Sequence, residues 1–142
     1  MKTLSDFFNQ YGVNTSTNFQ LMKWAKELGI PNFHIVMRDE IANLPNNGEI
    51  NVICNLHQKD QKGIHWSCFH KSKEGNLNYY FDSYGLEATK EVETILKPYI
   101  YSTFRLQNNE EFCGQLCLYV LFKLKEGSKF EDTILDLTDQ LC

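Results

Sequence analysis

Apolar positions recur along the chain with two periods, and the switches between them divide it into elements. Leu4, Phe7, Phe8 and Tyr11 fall at i, i+3, i+4 and i+7, the spacing of one helical face. Thr17-Asn18-Phe19-Gln20 reads as a capping box, in which the Thr and Gln side chains each bond the other's backbone. The helix it opens presents Leu21, Trp24, Ala25 and Leu28, then stops at Gly29 with Pro31 beyond. FHIVM (33–37) and INVICNL (50–56) are strand candidates, the second bounded by an Asn46-Asn47-Gly48 turn. HWSCFHK (65–71) and LNYYFDS (77–83) read as a hairpin around the polar loop KSKEGN. Residues 87–98 read as a helix with Val92, Ile95 and Leu96 inward, and IYSTFRLQ (100–107) as a further strand. A helix then opens at Cys113, with Leu116, Cys117, Val120, Leu121 and Leu124 as its apolar stripe and Gly127 as its stop. Phe130, Ile134, Leu137 and Leu141 predict a closing amphipathic helix over 130–141. Helices at both ends with strands between them predict an α+β fold, its helices packed on a mostly antiparallel central sheet.

Length and composition narrow the picture. A chain of 142 residues is expected to form one domain. At that size it buries roughly two-thirds of the surface its unfolded chain exposes. The net charge is −4 and the basic residues are scattered, which argues against a nucleic-acid footprint. No apolar run is long enough to span a membrane. The stretch MKTLSDFFNQYG lacks the apolar core of a secretory signal, so an intracellular, reducing setting is expected and secretion is not. Five cysteines are an odd number for a disulfide scaffold. Cys113 and Cys117 are four apart and His65 and His70 five apart, with no Cys-x2-Cys pair, so a metal site is not expected.

The helix opening at Cys113 is unusual, because no Ser, Thr or Asp stands directly before it as a cap. Unsatisfied N–H groups and the positive end of the helix dipole favour a thiolate there, and hence a nucleophile. Gly114 would let a substrate backbone approach closely. The alternative is a cysteine that only fills space. That fits Cys117, on the apolar stripe, better than Cys113. A thiolate needs a base and a group to orient that base. Of His34, His57, His65 and His70, His65 starts one strand of the hairpin and Asp82 finishes the other, which puts an acid beside a histidine. Taken singly, His65 reads as structural or solvated and Asp82 as a turn residue. Gln107, separated from Cys113 by five residues, could supply a neutral oxyanion donor; alone it reads as a polar loop residue.

The ordered set G-x-H-W, Y-F-D-S-Y-G and Q-x5-C-G-x2-C-L-Y-V-L resembles the adenovirus endopeptidase (adenain) family. It most resembles the adenain-like proteases of Maverick/Polinton elements and virophages. LMKWAKELGIPNFHIVMRDEI and the VICNL strand also match that group. The resemblance covers residues 18–126, which leaves 1–17 as an extra N-terminal segment and 127–142 as a C-terminal helix of a single protease domain (1–142). The core is also similar to that of the SUMO/ubiquitin-like deconjugating proteases. Both use the chain order His, Asp, Gln, Cys, the reverse of papain-like enzymes.

Carried over by motif, the resemblance implies that His65 is the general base, Asp82 the acid orienting it, Gln107 the oxyanion donor and Cys113 the nucleophile. It offers Trp66 as a residue lining the substrate cleft, against the alternative of a core aromatic. Tyr84 and Gly85 would shape the turn under Asp82. Met37-Arg38-Asp39-Glu40 is either a salt-bridged turn or a groove rim. The implied activity is that of a cysteine endopeptidase (thiol protease) without cofactor. Its protein substrates would be viral capsid or core precursors, cleaved at Gly-containing sites during maturation in the virion and infected host cell. An activating peptide is a further implied partner, although no cysteine is placed to take the disulfide that attaches adenain's. A net charge of −4 argues against stimulation by DNA. Two other readings share these residues. One is a deconjugase that cuts after a modifier's Gly-Gly tail, for which the small chain leaves little docking surface. The other is a non-catalytic protein-binding module, against which the complete His65, Asp82, Gln107 and Cys113 set argues.

Overall fold

The computed structural model describes residues 2–45, 48–56, 65–107 and 111–141. Asn46 and Asn47 of the expected turn, His57, the Gly63-Ile64 pair and Cys142 lie outside them. Helix α1 (Leu4–Tyr11) opens on a capping box of its own, Asp6 N–H to Thr3 Oγ1 at 3.1 Å and Thr3 N–H to Asp6 Oδ2 at 2.8 Å. Helix α2 (Asn18–Leu28) opens on the expected one, with Gln20 N–H on Thr17 Oγ1 at 3.1 Å and Thr17 N–H on Gln20 Oε1 at 2.9 Å. The strands are β1 (Phe33–Met37), β2 (Ile50–Asn55), β3 (Trp66–Lys71), β4 (Tyr79–Phe81) and β5 (Ile100–Tyr101). Helix α3 (Lys90–Leu96) joins β4 to β5, and α4 (Cys113–Lys125) and α5 (Phe130–Leu141) close the chain.

The fold is α+β, but the sheet is mixed rather than mostly antiparallel. Its order is β1-β2-β3-β4-β5. The β2–β3 and β3–β4 pairs are antiparallel, and β1–β2 and β4–β5 are parallel. A parallel neighbour needs a crossover. The segment containing a 3-10 helix (Arg38–Asn43) supplies one, and the segment containing α3 the other. The expected strand over 100–107 keeps only its first two residues. Beyond them the Leu106 and Gln107 N–H groups both donate to the Ser83 carbonyl, at 2.7 and 3.2 Å, instead of extending a ladder.

Side chains alternate across the sheet, and helices cover both faces. Ile53, Trp66, Cys68 and Phe81 join buried residues of α1, α2, α4 and α5 in one core. Ile50, Val52, Cys54, Phe69 and Tyr80 meet Ile41, Val92 and Leu96 in a second core on the other side. Two covered faces explain why β2 is buried along its whole length and reads as a nearly continuous apolar run. Helix α4 is more central than a one-sided stripe implies, because every residue from Cys113 to Lys123 is buried. Residues of the 1–17 segment belong to the same core. Leu4, Phe7 and Tyr11 are buried, and the Phe7 ring meets Tyr119 edge-on at 5.2 Å. Among the described residues no helix is long and apolar enough to cross a membrane.

Candidate functional site

The register of the central hairpin assembles the site. Cys68 faces Phe81 in an antiparallel pair, so the start of β3 lies beside the end of β4. His65 immediately precedes β3 and Asp82 immediately follows β4, and His65 Nε2 lies 3.1 Å from Asp82 Oδ1. The Tyr84 N–H donates to the same oxygen at 2.8 Å. The chain then turns at Gly85, whose N–H bonds the Asp82 carbonyl at 2.8 Å. Gly85 has φ +74°, and a Cβ there would meet the Thr103 carbonyl oxygen at 2.5 Å, so only glycine lets the turn press against 103–104. The Tyr84 ring lies against the imidazole, centroids 4.7 Å apart, and the Arg105 guanidinium lies over that ring at 5.1 Å.

Cys113 is the first residue of α4. The residue before it, Phe112, makes no side-chain cap hydrogen bond. The Trp66 N–H donates to Cys113 Sγ at 3.2 Å, and the thiol is also hydrogen-bonded to the His65 side chain. Burial works against charge on His65. The bonds to Asp82 and Cys113 and their negative charge outweigh it and push the ring up from 6.5 to about 9. At neutral pH an imidazolium therefore stands beside the sulfur. That ring, a backbone N–H and the N-terminus of α4 converge on the sulfur.

Gln107 is buried at this end of the molecule and is held by the residue after Asp82. The Ser83 hydroxyl donates to Gln107 Oε1 at 2.5 Å, and the Ser83 carbonyl takes the Gln107 N–H.

Two expectations about substrate contact change. The Trp66 side chain takes the core alternative: it is 6% exposed, and its indole N–H donates to the Ser16 carbonyl at 3.0 Å. Gly114 does not offer its open side to a substrate. A Cβ there would meet Leu21 Cδ2 at 3.0 Å and the Ser16 side chain at 3.3 Å, so the close approach it permits is internal, between α4, α2 and residue 16. Arg38 takes the salt-bridged option, pairing with Glu91 at 3.1 Å while Glu40 accepts the Met37 N–H at 2.8 Å.

Other candidates lie elsewhere or are inert. His70, near the far end of β3, is bonded to Asn51 at 2.7 Å. Burial pushes the Cys54 thiol up to about 12, and burial with a bond to Cys68 raises Cys117 well above its ordinary value. No cluster able to hold a metal ion occurs among the described residues.

Sequence reasoning missed Ser83 and Gln115. Gln115 Nε2 donates to the Asn14 and Gly12 carbonyls at 2.9 and 3.1 Å, bolting the segment before α2 onto the start of α4. Its signal was available, since a polar residue near the start of a mostly apolar helix must find partners once buried. Ser83 carried none beyond its place next to Asp82.

Neither the models of known protein families nor the curated proteins yield a match to the chain.

Proposed function

We propose that the protein is a cysteine peptidase in which Cys113 is the nucleophile, His65 the general base and acid, Asp82 the group that orients His65, and Gln107 an oxyanion donor. The observation that carries this reading is the position of His65, bonded through Nε2 to Asp82 and also to the Cys113 thiol. The sulfur attacks the scissile carbonyl carbon and forms a C–S bond. The carbonyl electron pair moves to oxygen, where the Gln107 carboxamide and the Cys113 N–H donate. As the oxyanion collapses the C–N bond breaks, and the protonated ring gives its proton to the leaving amine. Water, deprotonated by the now neutral ring, attacks the thioester; the C–S bond breaks, the acid is released, and the thiolate is restored beside the reprotonated ring.

The adenain-type core, the viral precursor substrates and the Gly-containing cleavage sites rest on the motif resemblance. The chain order of the four residues and the contact of His65 with both partners are consistent with it.

The test is a thiol map. Limiting iodoacetamide near pH 6 leaves an unperturbed thiol, of pKa about 8.5, almost wholly protonated and slow. Fast alkylation at Cys113 alone is expected, and its loss in His65→Ala. Quenched peptides with a central Gly should be cut by the wild type and not by Cys113→Ala. Slow, uniform alkylation with no Cys113-dependent cleavage would leave only a binding module. Preferential cleavage of modifier–fluorophore conjugates would select the deconjugase.

A further inference from the structure

We infer that Ser83 is a positioning residue for the oxyanion donor, and that the Asp82-Ser83 pair sets both halves of the site from one turn. The inference rests on the cysteine-peptidase reading above. Consecutive residues face different partners: Asp82 Oδ1 holds the His65 ring, and the Ser83 hydroxyl holds Gln107.

A primary carboxamide can donate to an oxyanion only through its nitrogen. Its two ends are nearly the same shape, so a half-turn about the last side-chain bond would present the oxygen instead, and repel the developing charge. Ser83 engages the oxygen end. Its hydroxyl, on a side chain with no solvent exposure, donates to Gln107 Oε1 at 2.5 Å. With Oε1 on the Ser83 hydroxyl, Nε2 is turned away from Ser83. The Ser83 carbonyl completes the grip by accepting the Leu106 and Gln107 N–H groups, at 2.7 and 3.2 Å. Gln107 itself is buried, so the orientation set by Ser83 is not averaged by water. Gly85 presses the same turn onto residues 103–104, which holds the two segments in register.

The experiment is a double-variant cycle on the full chain, read by turnover of an acyl-Gly-Gly aminocoumarin amide and by iodoacetamide alkylation of Cys113. Alkylation needs the thiolate but no oxyanion donor. Ser83→Ala should lower kcat about 10- to 100-fold with little change in KM, as expected when a group is present but misplaced. Its alkylation rate and pH profile should match the wild type. Gln107→Ala should lose about 10²–10³ in kcat. Adding Ser83→Ala to that variant should cost nothing further, because the group it orients is gone. Ser83→Cys, similar in size with a weaker donor, should fall between serine and alanine in turnover.

Losses that multiply in the double variant would overturn the inference, as would a Ser83→Ala chain whose alkylation falls in step with its turnover. Either result would mean that Ser83 supports the Cys–His pair or the fold generally. A wild-type chain with no Cys113-dependent turnover and no selective alkylation refutes the peptidase reading, and the positioning role with it.

Discussion

At the scale of the residue, the charge state of His65 decides what the site can do. Its value of about 9 lies above the ordinary 6.5, so the ring is protonated across neutral pH and loses its proton as pH rises through about 9. A step that needs the imidazolium to protonate a leaving amine should therefore show an alkaline limb near pH 9 in kcat/KM. The Asp82 bond and its negative charge are two of the causes that raise the ring, and burial opposes them. Asp82→Asn keeps an acceptor for the Tyr84 N–H but removes the charge, so the alkaline limb should move to lower pH. An unmoved limb in that variant would show that Asp82 does not set the ring. The sign for stability runs the same way. The interaction stabilises the fold fully below about pH 6.5, and that contribution is lost as pH rises through about 9. His65, Asp82, Gln107 and Cys113 were all legible as candidates because their types and order are visible in one dimension. Ser83 was not, because only the folded turn shows that its hydroxyl meets Gln107.

At the scale of the element, α4 answers why a buried helix opens on Cys-Gly with no polar cap. Its first turn is fixed by tertiary contacts, namely Trp66 N–H on the Cys113 sulfur and Gln115 on the carbonyls of residues 12 and 14. Gly114 is there because residue 16 and Leu21 leave no room for a side chain. Gly114→Ala sets two effects against each other. Alanine favours a helix over glycine by about 1 kcal/mol, while overpacking costs about 1–3 kcal/mol. A contact at 3.0 Å with a flexible leucine can relax, but the Ser16 contact at 3.3 Å belongs to a residue whose carbonyl Trp66 already holds. A net loss in urea denaturation is expected, and a gain would show that residue 16 yields freely. The five α-helices and the first four strands were legible in the periodicity. The parallel β1–β2 pairing was not, since a short crossover through a 3-10 turn leaves the same local pattern as a loop between antiparallel strands.

At the scale of the whole molecule, the sheet with helices on both faces makes the N-terminal helix part of the structure that holds the site. A motif resemblance beginning at residue 18 could not reveal this, because α1 carries none of the motif residues and contributes only packing. Phe7 is the clearest case. It has no solvent exposure, and its ring meets Tyr11, Tyr119 and Phe122 at 5.4, 5.2 and 5.7 Å. Tyr119 and Phe122 lie on the helix that begins with Cys113. Phe7→Ala should cost about 3–5 kcal/mol, a large share of the about 5–15 kcal/mol that holds a typical domain together. If α1 folds as one unit with the sheet, urea unfolding should remain a single transition with an unchanged slope and a lower midpoint. Turnover should then fall only at urea concentrations where that transition begins. A midpoint equal to the wild type's would place α1 outside the cooperative unit and make residues 1–17 the appendage that the motif boundary implies.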